Sequence, residues 1–204
     1  MHITQGDLPH WHREGKIFFV TFRLADSMPP TAVSEFKNAV NKWLASHDSI
    51  IIKQVAEDFE KYKANLENSL YDRCLGQCIL AQYEVRKIVI DSLHHFDHSH
   101  YHIHDYVIMP NHVHLLIEPL NDWQIQDIMA SIKSYTAHEI NKVCSMQGSI
   151  WQHESFDRII RNDSHYYKVV NYIARNLRHC REGEYALYLT DGRPYFKVIP
   201  NNAL

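Results

Sequence analysis

The sequence predicts an α+β fold, a ferredoxin-like antiparallel sheet with helices on one side. Strand-like and helical segments follow one another in the order strand, helix, two strands, helix, strand, helix, and no internal repeat or low-complexity tract interrupts that order. The two adjacent strands are joined by a Pro-Asn turn, which is typical of a hairpin. A chain of 204 residues with 45% hydrophobic composition suits one core. We therefore expect a single domain over 1–204, with a helical insertion around 48–77.

The first half of the chain begins with a strand and continues with helices. "KIFFVTFRL" (16–24) is rich in aromatic and β-branched residues and is followed by a Pro pair, so it is predicted to be a strand. "TAVSEFKNAVNKWLA" (31–45) carries apolar residues at helical spacing. Residues 48–77 combine dense charge with a partial helical period, which indicates a solvated helix. "ILAQYEVRKIVIDSLHHF" (79–96) has an apolar stripe and no internal Gly or Pro, so we expect a helix packed on the sheet.

The second half starts with the hairpin, whose strands are predicted at 101–109 and 112–119. A helix is predicted at 122–144, a short strand at 156–161, and a helix capped by Asp163 at 163–180. The tail from residue 183 is expected to add a short strand or to cover the core.

Composition excludes several classes of protein. No stretch reaches the 18 or more apolar residues that a membrane span requires, and the N-terminus has no secretory signal pattern, so we expect a soluble intracellular protein. A net charge of −3 argues against coating of nucleic acid by bulk electrostatics. Residues 151–204 nevertheless carry eight basic and six acidic residues, against 13 and 18 in residues 1–150. An anionic ligand is therefore expected at the C-terminal third.

Many of the 16 histidines fall in "HHFDHSHYHIH" (94–104). Their spacing is irregular and no set of acids or thiols accompanies them. We interpret this segment as a solvated loop and strand rather than as a metal site.

A second histidine pattern, in "MPNHVHLLIE" (109–118), opens the second hairpin strand. Side chains alternate between the faces of a strand, so His112 and His114 project to the same side. Two neutral imidazoles in this arrangement can hold one divalent cation if a third ligand arrives from elsewhere. The alternative is a pair of histidines that hydrogen-bond to the backbone or to water on a half-exposed face.

The helix at 163–180 offers groups that favour the metal interpretation. Tyr172 and Asn176 are four residues apart and so share one helical face. Mg²⁺ or Mn²⁺ accepts oxygen ligands and tolerates imidazole, so His112, His114 and Asn176 form a workable ligand set. The chemistry that this suggests is phosphoryl transfer, in which the Tyr172 oxygen attacks phosphorus to give a phosphotyrosine.

Five segments of the chain, taken together, resemble the single-tyrosine HUH transposases, specifically the REP-associated tyrosine transposases of the IS200-like group. They are "GKIFFVTFRLADSMP", "YVIMPNHVHLLIEP", "IKSYTAHEIN", "WQHESFDRIIRND" and "HYYKVVNYIARN". The resemblance runs from about residue 9 to about residue 180. It implies a ferredoxin-like fold with the HUH motif on a central strand, in agreement with the fold expected from the order of the segments.

The resemblance also assigns roles. It implies that His112, His114 and Asn176 bind Mg²⁺ or Mn²⁺ and that Tyr172 is the nucleophile. Such enzymes cut and rejoin single-stranded DNA, leave a 5′-phosphotyrosine and a free 3′-hydroxyl, and recognise hairpins of repetitive extragenic palindromes. A bacterial cytoplasmic protein that associates with the nucleoid through DNA is implied, and monomer and homodimer both stay open. Leu177 stands where the family has proline after its asparagine, so the helix is expected to run on.

Several alternatives accompany these assignments. The basic residues that could contact DNA phosphates, or else belong to a solvated surface, are Lys133, Arg158, Arg161, Lys168, Arg175 and Arg178. Tyr135, Tyr166 and Tyr167 are alternative nucleophiles; Tyr135 is expected to pack in the core, and the other two to pack or to stack on DNA.

Two other functions stay open. One is a DNA-binding protein that descends from such a transposase and has lost the chemistry. The other is a hydrolase that uses a metal-bound water, with Glu118 as the nearest acidic group on the strand of the histidines.

Overall fold

A computed structural model describes residues 3–5, 9–11, 15–46 and 53–190. These residues form seven strands and five α-helices. The strands are β1 (Ile3–Gln5), β2 (Pro9–Trp11), β3 (Phe18–Arg23), β4 (Tyr101–Ile108), β5 (His112–Pro119), β6 (Phe156–Ile159) and β7 (Ala186–Leu189). The helices are α1 (Pro30–Ser46), α2 (Lys53–Tyr71), α3 (Tyr83–His95), α4 (Ile125–Cys144) and α5 (Asp163–Arg175). Short 3₁₀ turns at Ile79–Ala81 and Asn176–His179 precede α3 and follow α5.

The main sheet has five antiparallel strands in the order β6-β3-β5-β4-β7. If the first four strands of this sheet are numbered 1 to 4 along the chain, their spatial order is 4-1-3-2. α3 and α4 lie in the two crossover connections, which gives the ferredoxin-like βαββαβ arrangement. The predicted fold class is therefore confirmed. The tail from residue 183 adds β7 at the free edge of β4, while the "DGRP" turn falls outside the described residues. β1 and β2 form a separate hairpin that the sequence analysis missed.

The larger core lies between the sheet and the helices α3 and α4. Val85, Val89 and Leu93 recur every four residues on α3 and are fully buried, as the apolar stripe predicted. On β5 the alternate residues Val113, Leu115 and Ile117 point into the same core. This face of the sheet carries no polar residue of the candidate site.

A second core covers the opposite face of the sheet, where α5 packs. Val169, Val170 and Ile173 of α5 contact a cluster that includes Val107 and Leu116 of the sheet. The prediction that the helices lie on one side is thus true of α3 and α4 and wrong for α5. α3 and α4 already cover one face of the sheet, so the apolar stripe of α5 packs against the opposite face.

The segment around 48–77 contains α2, with residues 47–52 outside the described part. That this segment is an insertion stays a prediction. α2 lies beside α1 through an aromatic contact in which Trp43 packs on Phe59 at a centroid distance of 4.9 Å. Arg73 adds a bidentate ion pair with Glu35 of α1, at 2.7 and 2.9 Å. These contacts fix where the end of α2 lies, which matters for the site below.

Two helix ends differ in detail from the predictions. α5 begins after Asn162, whose side-chain oxygen accepts the His165 N–H at 2.9 Å, so Asn162 rather than Asp163 is the cap. At its other end the chain continues beyond Arg175 as a 3₁₀ turn through His179, in line with the absence of proline after Asn176. Within the described residues, none of the helices combines the length and the apolar character needed to cross a bilayer.

The buried stripe of α3 makes a direct stability prediction. Leu93 is fully buried, so Leu93→Ala removes buried methyl groups and leaves a cavity, and we expect the free energy of unfolding to fall by about 2–5 kcal/mol. Leu44 in α1 is 49% exposed, and Leu44→Ala should change it by less than about 0.5 kcal/mol. Urea unfolding followed by circular dichroism measures both. Equal losses in the two variants would contradict the assigned core.

Candidate active site

His112 and His114 lie at the start of β5, the middle strand of the sheet, on the face that α5 covers. Both imidazoles are buried, and their Nε2 atoms are 3.0 Å apart. The two rings therefore converge on one point, as expected from their shared strand face. The alternative of a half-exposed face is not what the structure shows.

The orientation of His112 is set by Asn111. The Asn111 amide nitrogen donates to the carbonyl oxygens of Tyr71, at 3.3 Å, and Leu75, at 3.1 Å, so its Oδ1 must face the other way. That Oδ1 lies 2.7 Å from His112 Nδ1 and can only accept. His112 Nδ1 consequently carries a proton, and the neutral ring directs the lone pair of Nε2 toward His114.

His114 is held from β3. Its Nδ1 lies 2.8 Å from the hydroxyl of Thr21, a group that can donate to or accept from either tautomer. Burial, followed by the nearby His112 and Arg23, lowers the pKa of His114 well below its ordinary value. The ring is therefore neutral at physiological pH, which is the form that a metal ligand needs.

Tyr172 projects from α5 into the same space. Its ring packs against His114 with a centroid separation of 5.0 Å and against the edge of Phe19 at 6.0 Å. Burial and then the charge of Asp72 raise the pKa of Tyr172 to about 12, while a hydrogen bond from Asn176 and the charge of Arg23 act in the opposite direction. The phenol is thus protonated at neutral pH, with two groups beside it that stabilise the phenolate.

Asn176 occupies the position one helical turn beyond Tyr172 and is buried. Its amide nitrogen donates to the Tyr172 carbonyl oxygen at 2.8 Å. The structure thus places Tyr172 beside His114 and Asn176 beside Tyr172, while the roles expected of these residues stay predictions.

A third donor for the histidine pair comes from a place that the sequence analysis did not consider. A carboxylate oxygen of Asp72, just after α2, lies with ring nitrogens of His112 and His114 in a group whose members are within 4.8 Å of one another. Asp72 also lines a cavity of about 320 Å³ with Tyr172 and Asn176. Asp72 therefore belongs both to the group with the two imidazoles and to the lining of the cavity beside Tyr172 and Asn176.

Arg23 places a positive charge near the histidine pair. It is the cross-strand partner of His112, its guanidinium lies 4.0 Å from the centre of the Tyr71 ring, and one nitrogen is 3.4 Å from Asn68 Oδ1. The Nε atom is buried and has no hydrogen-bond partner within the described part of the chain. A buried N–H donor beside a nucleophile suits an anionic substrate group.

Comparison with known proteins identifies a matching family model and a similar solved structure. Residues 80–176 match the family model described as transposase IS200 like. The match covers just under half of the chain. No curated protein is similar enough to this chain to count as a relative. Among solved structures, the chain is similar to one described as the REP-associated tyrosine transposase bound to a REP hairpin, with 16% identity and a TM-score of 0.48, over 85% of this chain and 73% of that chain.

The IS200-like segment contains His112, His114, Tyr172 and Asn176, whereas Thr21, Arg23 and Asp72 precede it. The family is associated with a divalent metal, and the donors here fit one. Two neutral nitrogens 3.0 Å apart have the spacing of adjacent ligands on an ion with bonds of about 2.1 Å, and the carboxylate and amide oxygens are hard donors. Thr21 and Asn111 supply the outer hydrogen bonds that metal-binding histidines generally have.

The predicted phosphate contacts divide into two groups. Lys168, Arg175 and Arg178 line the cavity that holds Tyr172. Arg158 and Arg161 lie near His165 in the first turn of α5, where their charges, with that of Lys168, help to lower the pKa of His165 after burial. Lys133 lies elsewhere, on α4, and donates to the His153 carbonyl oxygen at 2.7 Å and to the Ser155 hydroxyl at 3.3 Å. It lines a different cavity, with Gln126 and Trp151.

The rival residues lie away from the histidine pair. Tyr135 is 55% exposed on α4, so the expectation that it packs in the core was wrong. Tyr166 donates to Asp105 Oδ2 at 2.8 Å, and Tyr167 is 51% exposed. Glu118, near the far end of β5, accepts from His104 Nε2 at 3.1 Å.

Four residues of the site were missed from the sequence: Thr21, Arg23, Asp72 and Asn111. The first two had a signal, because polar residues at alternate positions of a strand otherwise built of Val20, Phe22 and Leu24 share one face. Asn111 was interpreted as a turn residue alone. Asp72 gave no local signal, since one acid in a charged helical segment looks like any other.

Proposed function

We propose that this chain is a metal-dependent single-stranded DNA transesterase of the tyrosine transposase type. It cleaves and rejoins hairpin-containing DNA through a 5′-phosphotyrosine intermediate. The observation that carries the proposal is the contact of the Tyr172 ring with His114, 5.0 Å between centroids, beside a group in which two imidazoles and the Asp72 carboxylate converge.

In this proposal His112, His114 and Asp72 hold the ion, and Asn176 serves as a further oxygen donor or orients the phenol of Tyr172. When bound, Mg²⁺ or Mn²⁺ polarises a phosphate oxygen and favours the phenolate. The hydrogen bonds of Thr21 and Asn111 orient the two imidazoles toward the ion. Arg23 donates its buried N–H to the scissile phosphate.

The covalent step exchanges one phosphodiester for another. The Tyr172 oxygen forms a bond to phosphorus, the bond from phosphorus to the 3′-oxygen breaks, and that oxygen takes up a proton as the phenol loses one. The reverse attack by a 3′-hydroxyl rejoins the strand and frees the tyrosine. A phosphotyrosine diester keeps the energy of the broken bond, so no external energy source is required.

The basic residues along α5 provide the DNA-binding surface. Arg158, Arg161, Lys168, Arg175 and Arg178 are all exposed and border the cavity or the first turns of α5. Phosphate contacts from such residues position a strand without reading its sequence. The preference for hairpin DNA is inferred from the resemblance to REP-associated tyrosine transposases. We also propose that the protein consists of one domain and acts on the chromosome in the bacterial cytoplasm.

Strand-specific labelling tests the proposal. A single-stranded hairpin DNA is labelled separately at its 5′ and 3′ ends, incubated with the protein and Mn²⁺, and resolved on a denaturing gel. We expect the 3′ label to move with the protein and the 5′-labelled fragment to end in a hydroxyl that terminal transferase extends. EDTA should abolish both products, and an unstructured strand of equal length should react less. DNA binding without an adduct would support the DNA-binding alternative instead.

Asp72 makes a separate prediction about the metal. Asp72→Asn removes the charge of one donor, so we expect the affinity for Mn²⁺, measured by electron paramagnetic resonance of free Mn²⁺, to fall by at least about 10-fold. Asp58→Asn is the matched control, because Asp58 is an exposed residue of α2, 3.7 Å from Lys61 in an ion pair. Unchanged affinity in the Asp72 variant would leave Asn176 as the third ligand.

A further inference from the structure

The histidine-rich segment "HHFDHSHYHIH" forms a second cluster of metal-ligating groups. Asp97, His98 and His102 each offer one ligand atom, and these atoms lie within 4.8 Å of one another. His98 Nδ1 and His102 Nδ1 are 3.2 Å apart, Asp97 Oδ2 lies 3.6 Å from His98 Nε2, and Asp97 Oδ1 lies 3.6 Å from His102 Nδ1. The sequence analysis found no set of acids beside these histidines, but the structure brings the carboxylate of Asp97 next to two of them.

The cluster is separate from the site of Tyr172. His102 pairs with Glu118 near the end of β5, whereas His112 begins that strand. Six residues of extended chain separate Glu118 from His112, which corresponds to about 20 Å. Neither the proposed transesterase nor its metal uses these groups, so the two sites can be tested independently.

The carboxylate of Asp97 is held in place before any ligand arrives. Its Oδ1 accepts the backbone N–H groups of His98 and Ile103, each at 3.0 Å, and its side chain is 9% exposed. Oδ2 faces the imidazoles of His98 and His94, the latter at 3.7 Å from Nδ1. A buried carboxylate oxygen surrounded by imidazoles is a strong attraction for a cation.

The backbone also brings the exposed histidine to this carboxylate. His98 has φ +64°, a left-handed conformation that residues other than glycine rarely adopt, and its N–H also bonds to the Tyr101 carbonyl oxygen at 2.7 Å. This turn leaves the ring of His98 beside that of His102, with centroids 4.7 Å apart. His98 is 75% exposed, so an ion can reach the cluster from solvent.

The spacing of the nitrogens fits a tetrahedral ion. Two ligands at about 2.0–2.1 Å from a tetrahedral centre are about 3.3 Å apart, close to the 3.2 Å between the two Nδ1 atoms. Two imidazoles and one carboxylate suit Zn²⁺ or a similar borderline divalent ion, with a fourth position left for water. A direct hydrogen bond between the two rings is the alternative for the same distance.

We propose that Asp97, His98 and His102 form a second divalent-metal site, of the Zn²⁺ class, that ties the turn after α3 to the start of β4. The ion replaces the proton shared by the two imidazoles and joins the exposed His98 to the buried Asp97. Because it binds the folded chain, it also raises the unfolding temperature.

Counting bound zinc tests this site. The full chain carrying His112→Ala and His114→Ala, which lacks the first site, is dialysed against micromolar Zn²⁺, and bound metal is measured by atomic emission. We expect about one equivalent, which is lost when His98→Ala and His102→Ala are added. His100→Ala is the matched control and should keep the equivalent, because its ring stacks between Phe96 and Trp123 and does not face Asp97.

A second readout uses the otherwise wild-type chain. Zn²⁺ should raise its unfolding temperature, and the rise should be smaller in the His98→Ala, His102→Ala variant than in His100→Ala. Equal zinc content with and without the His98 and His102 substitutions overturns the proposal. Loss of the equivalent in His100→Ala also overturns it, since binding would then belong to the loop in general.

Discussion

Tyr172→Phe is expected to abolish the covalent adduct with hairpin DNA and to lower strand cleavage by at least about 10⁴-fold, as loss of a catalytic nucleophile does. The substitution removes one oxygen and keeps the ring that packs on His114 and Phe19. Folding and metal binding should therefore be unchanged, because the ring contacts remain. Only the oxygen proposed to attack phosphorus is lost. A denaturing gel of labelled hairpin DNA with Mn²⁺ measures the adduct, and filter binding measures DNA affinity.

Tyr167→Phe is the control on the same helix. Tyr167 is 51% exposed, and its change should leave the adduct intact. Tyr166→Phe extends the comparison to a phenol that donates to Asp105. If the adduct persisted in Tyr172→Phe and vanished in Tyr166→Phe or Tyr167→Phe, the nucleophile would be Tyr166 or Tyr167, respectively.

Much of the fold was predictable because its signals are local. The stripe of Val85, Val89 and Leu93 identifies α3, and the Pro-Asn pair between two β-like runs identifies the hairpin of β4 and β5. β1 and β2 have three residues each, too few to show alternation. The face on which α5 packs was not predictable, because an apolar stripe shows that a helix is buried and not against which side of a sheet.

The candidate site divides in the same way. His112 with His114, and Tyr172 with Asn176, are pairs within one strand and one helix, so the period of each element brings its two members to one side. That the two pairs face each other depends on α5 covering the His face of β5. Asp72 reaches them only because the Arg73 ion pair and the Tyr71 and Leu75 carbonyl groups fix the end of α2 against α1 and Asn111. Contacts of this kind are tertiary and have no sequence period.

This arrangement links α2 to the chemistry. Asn111 hydrogen-bonds both to the Tyr71 carbonyl group at the end of α2 and to His112 Nδ1, so it links that helix to the orientation of His112. Asp72, just after α2, is the proposed carboxylate ligand of the ion. A chain that lacked α2 would keep both histidines on β5 and lose the group that orients one of them. The end of α2 is thus in contact with the candidate site.

Loss of one of the two convergent histidines is expected to weaken both metal binding and adduct formation strongly. His114→Ala should lower Mn²⁺ affinity by more than about 100-fold, beyond what loss of an outer hydrogen bond causes, and should reduce adduct formation to a similar extent. The substitution removes a nitrogen 3.0 Å from its partner on His112 and leaves the Thr21 hydroxyl without its contact. Titration calorimetry with Mn²⁺ measures the affinity, and the labelled hairpin measures the adduct.

His104→Ala is the control for this change. His104 is a largely buried strand histidine that bonds to Glu118, away from the ion, so its loss should spare metal affinity and adduct formation. DNA binding should survive in both variants, since neither changes the basic residues proposed to contact DNA. If His114→Ala kept Mn²⁺ affinity and adduct formation at the level of His104→Ala, the convergent imidazoles would be a hydrogen-bonded pair that stabilises β5, and Tyr172 would need another source of activation.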